Sequence, residues 1–385
     1  MGAGESETVK KIFFQSNRSM TDLLATTLDH LRALVAFDTQ NPPREISADG
    51  IFEYARSQLQ GFQWATTNHG GGSVSFFAVR GNPRILFNVH LDTVPAAPTW
   101  TRDPFALAVT GDHAIGLGAC DIKGAAAALL TAVAQTTGDV ALLFTSDEEA
   151  NDARCVAAFL AQKRPFDAIV VAEPTRCEAV LAHRGISSAR VIFAGRAGHA
   201  SAANTLTGSA LHQAMRWGAR ALDHVESLSH ERFGGLTGLR FNIGRVEGGI
   251  KANVIAPSAD VRFGFRPLPS MDTDALLAAF SACADAPLAE FVETFRGPPL
   301  PAGNVAEAES RRLAARDFAD QFALPIGNAV DFWTEASLFS QAGYTAIVFG
   351  PGDIAQAHSA DEFVELAQLQ RITEAFIAMI EQASR

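Results

Sequence analysis

Cysteine is scarce in this chain: Cys120, Cys155, Cys177 and Cys283 are the only four among 385 residues, with no CxxC pair and no disulfide-like spacing. A chain of this length needs no disulfide staples, so a reducing cytoplasm is the simplest home, and cysteine ligation of a metal is not expected. No apolar run approaches the roughly 18 residues of a membrane span. Residues 1–20 hold only Ile12, Phe13 and Phe14 as an apolar core, too little for a signal peptide. They read as a disordered or mis-annotated extension, because Met20 precedes a more natural start at which Thr21 or Asp22 would cap a helix. Positive charge is also in deficit. The formal net charge of −11 argues against nucleic acid or an anionic membrane as partner. Long polar or repetitive tracts are missing too; with 48% hydrophobic and 19% charged residues, the composition is that of a globular protein. The length exceeds one ordinary core, so two domains are expected.

What the chain does contain is a set of short, continuous apolar runs. "ILFNV" (85–89), "VALLFTS" (140–146), "AIVVA" (168–172) and "AIVFG" (346–350) have the signature of strands covered on both faces. Helical stretches at 124–135, 154–162 and 366–382 accompany them, which predicts an α/β domain with a mostly parallel sheet flanked by helices. The middle differs. Segments 185–195, 238–249, 253–269 and 289–297 alternate polar and apolar residues, as half-exposed antiparallel strands do. Helices at 210–228 and 271–284 fall between them, giving a βαββαβ string. The expectation is a smaller α+β domain over 180–297, inserted into a discontinuous larger domain formed by 21–179 and 298–385.

Each apolar strand runs into potential ligands: His90-Leu91-Asp92, Asp147-Glu148-Glu149, Glu173-Pro174 and, beyond a Gly-Pro-Gly loop, His358. Open α/β sheets bind ligands outside the carboxyl ends of their strands. Singly, each residue has an ordinary explanation. His90 could be a hydrogen-bonded loop histidine, and Glu173 a turn residue. The acids of "FTSDEEAND" (144–152) could open a helix at the favourable end of its dipole. Asp121 is expected to be a helix N-cap that lends its second oxygen to a cation. Gly116 and Gly118 invite a phosphate-loop reading but lack the rest of either nucleotide fingerprint. His90 and Asp92, two apart on an extended chain, share a side, so the carboxylate can fix the imidazole tautomer. Together His90, Asp121, Glu149, Glu173 and His358 form an N/O donor set suited to Zn2+ or its neighbours. Five donors exceed one tetrahedral zinc, so two ions sharing a bridging carboxylate fit better. Asp147 is left without an assigned job.

The motifs "HLDTVP" (90–95), "GLGACDIKG" (116–124), "TSDEEA" (145–150), "AEPT" (172–175), "AHRG" (182–185), "GRAGHAS" (195–201), "NVIAPSADVRFGFR" (253–266), "TEA" (334–336) and "FGPGDIAQAHSADEFVE" (349–365) follow one another over nearly the whole chain. In that order they resemble the acetylornithine deacetylase / aminoacylase family of co-catalytic zinc hydrolases. The resemblance implies hydrolysis of the N-acetyl amide of a small N-acetyl-L-amino acid in amino-acid biosynthesis. It implies one or two Zn2+ per subunit, with Co2+ as a substitute. His90, Asp121 and Glu173 would hold one ion, and Asp121, Glu149 and His358 the other. Asp92 would orient His90, and Glu148 would be the general base. The inserted domain would act as a lid and form a homodimer; there His199 would reach into the partner's site to steady the oxyanion, with Asn253 beside it. Arg266 would meet the substrate carboxylate. Arg184 stands where many relatives carry lysine, so the positive charge is kept.

Overall fold

Apolar runs without polar alternation form strands only where both faces are covered, and the larger unit of the chain is built on that rule. The computed structural model describes residues 22–43, 46–150 and 152–384, so the expected extension lies outside the described residues. The chain divides into two compact units. The larger takes the chain as far as Val180, then Ala315–Gly327 and Ala342–Arg385; the smaller takes Leu181–Ala314 and Asn328–Gln341. Residues 298–314 and 328–341, expected in the larger domain, thus fall in the smaller unit. They pair there through isolated bridges, His183 with Leu300 and with Val330, which leave no periodic pattern to read.

In the larger unit the strands are β1 (Gln63–Gly70), β2 (Ser73–Arg80), β3 (Ile85–His90), β4 (Val140–Thr145), β5 (Ala168–Val171) and β10 (Thr345–Val348), in the order β1-β2-β4-β3-β5-β10. The pairings β4-β3, β3-β5 and β5-β10 are parallel; the β1-β2 hairpin joins them antiparallel. Every residue of β3, β4 and β5 is buried. Helix α1 (22–35), α2 (Lys123–Gln135), α3 (Arg154–Leu160) and α7 (Leu366–Ala383) belong to this unit. Alanine dominates α2 because Lys123 through Val133 are buried on every side. One hydroxyl from each of α1, α2 and α7 meets there: Thr27 Oγ1 lies 3.1 Å from Thr131 Oγ1 and 3.2 Å from Thr373 Oγ1. The register sets His90 opposite Thr145 and Asn88 opposite Val171, so the carboxyl ends of the parallel strands lie level.

The smaller unit has four antiparallel strands, β6 (Ile186–Ala194), β7 (Arg240–Gly248), β8 (Ser258–Arg266) and β9 (Glu290–Gly297), ordered β7-β8-β6-β9. Helices α4 (Ala210–Ser227) and α5 (Thr273–Ala282) complete the expected βαββαβ order. Alternation places Ala259, Val261, Phe263 and Phe265 of β8 in one core with Trp217 and Phe280. The Phe263 ring lies 5.1 Å from Trp217 and 5.4 Å from Phe280, centroid to centroid. The extended run expected over 253–269 is a strand only from Ser258. Val254 N–H closes a turn on the Lys251 carbonyl at 3.0 Å before it. A further helix, α6 (Val305–Gln321), was not anticipated. Among the described residues no helix is long and apolar enough to cross a membrane.

Candidate metal centre

The level strand ends bring the acids and imidazoles of the larger unit together. His90 is the last residue of β3; Asp147, Glu148 and Glu149 follow β4; Glu173 follows β5; the loop after β10 leads to His358. Two clusters result, His90–Asp121–Glu173 and Asp121–Glu149–His358, and within each the donor atoms lie no more than 4.8 Å apart. Asp121 is common to both. Its Oδ1 stands 3.1 Å from His90 Nε2 and its Oδ2 3.4 Å from His358 Nε2. Glu173 Oε1 is 3.6 Å from His90 Nε2, and Glu149 Oε1 is 3.1 Å from His358 Nε2. One carboxylate facing two histidines with different oxygens has the geometry of a bridge.

Buried Asp92 holds both halves. His90 Nδ1 donates to the Asp92 backbone carbonyl at 3.0 Å, with the Asp92 carboxylate at 3.5 Å. The carbonyl therefore does more of the orienting than the carboxylate to which sequence assigned it. With the proton on Nδ1, the Nε2 lone pair is aimed at the cluster. Asp92 Oδ2 instead accepts the Glu149 N–H at 3.0 Å and Asn41 Nδ2 at 3.4 Å, tying the acidic loop to the end of β3.

Asp121 is not the N-cap of α2. Ile122 occupies that position without any side-chain cap, because both Asp121 oxygens face histidines. The backbone donors of this loop go to Glu362, which is 2% exposed. Its Oε2 accepts Gly118 N–H at 3.0 Å, and its Oε1 accepts Cys120 N–H at 2.8 Å and Asp121 N–H at 2.9 Å. The glycine loop is thus an anion nest, but the anion is the protein's own carboxylate, which disposes of a phosphate loop. Gly118, at φ +79°, is required: a Cβ would stand 2.8 Å from Thr93 Cγ2. Buried Lys123 donates to the Phe37 carbonyl at 2.9 Å. Sequence reasoning missed Glu362, Lys123 and Asn41.

Asp147 also acquires a job. Its Oδ2 accepts Cys155 N–H at 3.0 Å in the first turn of α3, so it serves the helix start while Glu149 joins the second cluster. Glu148 is half-buried and accepts no hydrogen bond among the described residues. His358 sits at φ +58°, a left-handed conformation costly for histidine and characteristic of functional sites. None of the four cysteines is in a disulfide, and none belongs to either cluster.

The electrostatics call for cations. Burial pushes Glu173 up to about 7 despite His90, and raises Glu149 and, further, Glu148. Burial opposes the charged form of His90, yet Glu173, Asp121 and Asp92 outweigh it and hold the imidazole well above its ordinary range. Hydrogen bonds to Asp121 and Glu149 carry His358 to about 10. Glu173 Oε1 is buried without a hydrogen-bond partner. Carboxylates that strain against deprotonation beside imidazoles drawn towards protonation would be relieved by divalent ions, so these residues fit a two-metal centre. The other nominated residues, His199, Asn253 and Arg266, lie in the smaller unit. Exposed His199 bonds Ser201 Oγ through Nδ1 at 2.7 Å, and Ala200 N–H donates to the Asn253 carbonyl at 3.1 Å. Arg184 is fully buried in this unit, donating to the Asp331 carboxylate and to the Gly238 and Thr237 carbonyls at 2.6 and 2.8 Å.

A family model described as Peptidase family M20/M25/M40 matches residues 86–382. The chain belongs to this family. Within it, the chain is 69% identical over 356 residues to the N-acetyl-L-citrulline deacetylase of Xanthomonas campestris pv. campestris, covering 92% of this chain and 97% of the relative. It is 30% identical to the acetylornithine deacetylase of Proteus mirabilis, over 78% of this chain and 80% of the relative. Its fold matches that of the YXEP protein of Bacillus subtilis, a dinuclear metal-binding peptidase of family M20. The TM-score is 0.61 at 14% identity, over 95% of this chain and 99% of that one.

Proposed function

We propose that the protein is a metal-dependent amidohydrolase that cleaves N-acetyl-L-citrulline to L-citrulline and acetate, a step of arginine biosynthesis in the cytoplasm. The 69% identity to an N-acetyl-L-citrulline deacetylase over nearly its whole length carries the substrate assignment. His90, Asp121 and Glu173 would hold one Zn2+, and Asp121, Glu149 and His358 a second, with Co2+ as a substitute. Such ions, when bound, supply Lewis acidity toward water and the amide carbonyl. Glu148, which accepts no hydrogen bond among the described residues, takes the proton of the attacking water and passes it to the departing α-amine. His199 donates to the oxyanion with Asn253 beside it, and Arg266 receives the substrate carboxylate. The smaller unit serves as lid and dimerisation domain. Exposed Leu206, Met215, Leu222, Val246 and Ile250, all in that unit, support a homodimer.

Purified, zinc-loaded protein assayed side by side on acetylcitrulline, acetylornithine and dipeptides tests the assignment. Acetylcitrulline should be hydrolysed fastest. Preference for acetylornithine would make it an acetylornithine deacetylase, and preference for a peptide a metallo-dipeptidase or carboxypeptidase.

A further inference from the structure

The smaller unit carries a hollow of about 630 Å3 on the face of its sheet, and the lining bears four arginines and no carboxylate. Its geometry follows from strand alternation. Phe263 and Phe265 point into the core with Trp217, so Arg262, Gly264 and Arg266 of β8 share the opposite face. Cross-strand pairing sets Arg240 beside Arg266, Asn242 and Ser188 on either side of Gly264, and Arg190 beside Arg262. Same-face residues on a strand are about 6.7 Å apart. The hollow therefore has a floor at Gly264, with arginines at both ends.

Three of the four cations are compensated from outside the lining. Arg190 pairs with Asp260 at 2.7 Å and Glu290 at 3.5 Å, Arg262 approaches Asp260 at 3.9 Å, and Arg240 lies 3.7 Å from Asp331. Arg266 is half-buried and has no carboxylate within 4.0 Å among the described residues. Its carbonyl accepts Arg184 Nη1 at 3.4 Å, which holds the strand end in place. A partly desolvated guanidinium without a counter-ion is a seat for an anion, and the carboxylate fork matches it.

We propose that this hollow selects the substrate side chain by charge. The inference rests on the reading of the substrate as an N-acetyl amino acid whose carboxylate sits on Arg266. From that anchor the side chain extends over Gly264, where no side chain blocks it. A ureido group is neutral and presents both a carbonyl acceptor and N–H donors. Guanidinium N–H groups can serve the former, and the oxygens of Ser188, Asn242 and Thr294 the latter. An ammonium group offers only donors and needs a counter-ion, but the lining holds no carboxylate, and the nearby Asp260, Glu290 and Asp331 are already engaged by Arg190, Arg262 and Arg240. Discrimination against a cationic side chain thus comes from the want of a free carboxylate to receive it as much as from fit.

The experiment compares kcat/KM for acetylcitrulline and acetylornithine in the zinc-loaded wild type and two variants. Asn242→Asp places one carboxylate over the floor without changing size, and should move the ratio at least tenfold toward acetylornithine. Arg262→Gln, on a solvent-facing strand position, takes from Asp260 one of its two ion-pair partners, leaves more negative charge beside the hollow, and should move the ratio several-fold in the same direction. It also keeps the proposal testable should Asn242→Asp fail to fold. A ratio within twofold of wild type in every folded variant overturns the charge filter and leaves the deacetylase assignment standing. A wild type preferring acetylornithine also overturns the filter. A wild type hydrolysing neither acetylated substrate overturns the deacetylase assignment itself.

Discussion

Replacing Glu362 by glutamine probes how the shared carboxylate of Asp121 is held. The native carboxylate accepts three backbone N–H groups, from Gly118, Cys120 and Asp121, at 2.8 to 3.0 Å. An amide oxygen in place of Oε1 would still accept from Cys120 and Asp121, but as a neutral group. The amide NH2 would then face the Gly118 N–H, donor against donor. Hydrogen bonds to charged groups contribute about 1.5–3 kcal/mol and neutral ones about 0.5–1.5. Weakening two and losing the third costs about 4 kcal/mol on that scale. Part returns, because burial and the Asp121 charge already push the Glu362 carboxyl up to about 7, and the amide escapes that desolvation. A net loss of about 2 kcal/mol is expected, read as the difference between variant and wild type in urea unfolding after metal removal. The looser loop should also lower zinc affinity by about 10–100-fold, the scale for groups that orient ligands, measured by competition with a chromophoric chelator. Unfolding within about 0.5 kcal/mol of wild type, together with unchanged affinity, would refute the view of Glu362 as the clamp of this loop.

Glu148→Gln should keep two ions per subunit and lose about 10²–10⁴-fold in kcat; near-wild-type turnover would remove Glu148 from the role of base. Glu149→Ala should bind fewer than two ions by elemental analysis, and a full complement would count against it as a ligand. His183 is fully buried, and burial lowers it to about 4. Since its folded value lies below the unfolded one near 6.5, the unfolded state binds the extra proton. Stability is therefore complete above about pH 6.5 and declines as pH falls towards 4, by about 3 kcal/mol in total. His183→Gln should flatten that part of the pH–stability curve, and an unchanged curve would assign the acid sensitivity elsewhere. Finally, inactive His199→Ala and Glu148→Gln proteins should regain activity when mixed if His199 acts across a dimer; no recovery despite demonstrated subunit exchange would argue against it.

The chemistry of the larger unit was legible because it sits immediately after continuous apolar runs, and parallel register turns sequence adjacency to a strand end into spatial adjacency. The residues left unread act across long separations or without pattern. Strand β1 is almost wholly exposed and polar, and α6 is polar on most sides, so neither leaves a hydrophobic period. Residues 298–314 and 328–341 join the smaller unit through isolated bridges to His183, the Arg184–Asp331 pair and the packing of Ala308, none of which leaves a period in the sequence.

Asp121 shows why one local rule misled. An aspartate just ahead of a helix is ordinarily a cap, because its side-chain oxygen can satisfy free N–H groups nearby. Here each Asp121 oxygen is committed to a different histidine, and a carboxylate aimed at the cluster has turned away from its own helix. Buried N–H groups of the loop still require an acceptor. It must come from elsewhere in the chain, and it arrives 241 residues later as Glu362. The same division appears at the acidic loop, where Asp147 takes the Cys155 N–H and leaves Glu149 for the cluster. An acid that faces a cluster just ahead of a helix thus leaves the N–H groups of its loop to a second acid. In a sequence of this kind, the search for that acid belongs among segments that return to the same edge of the sheet.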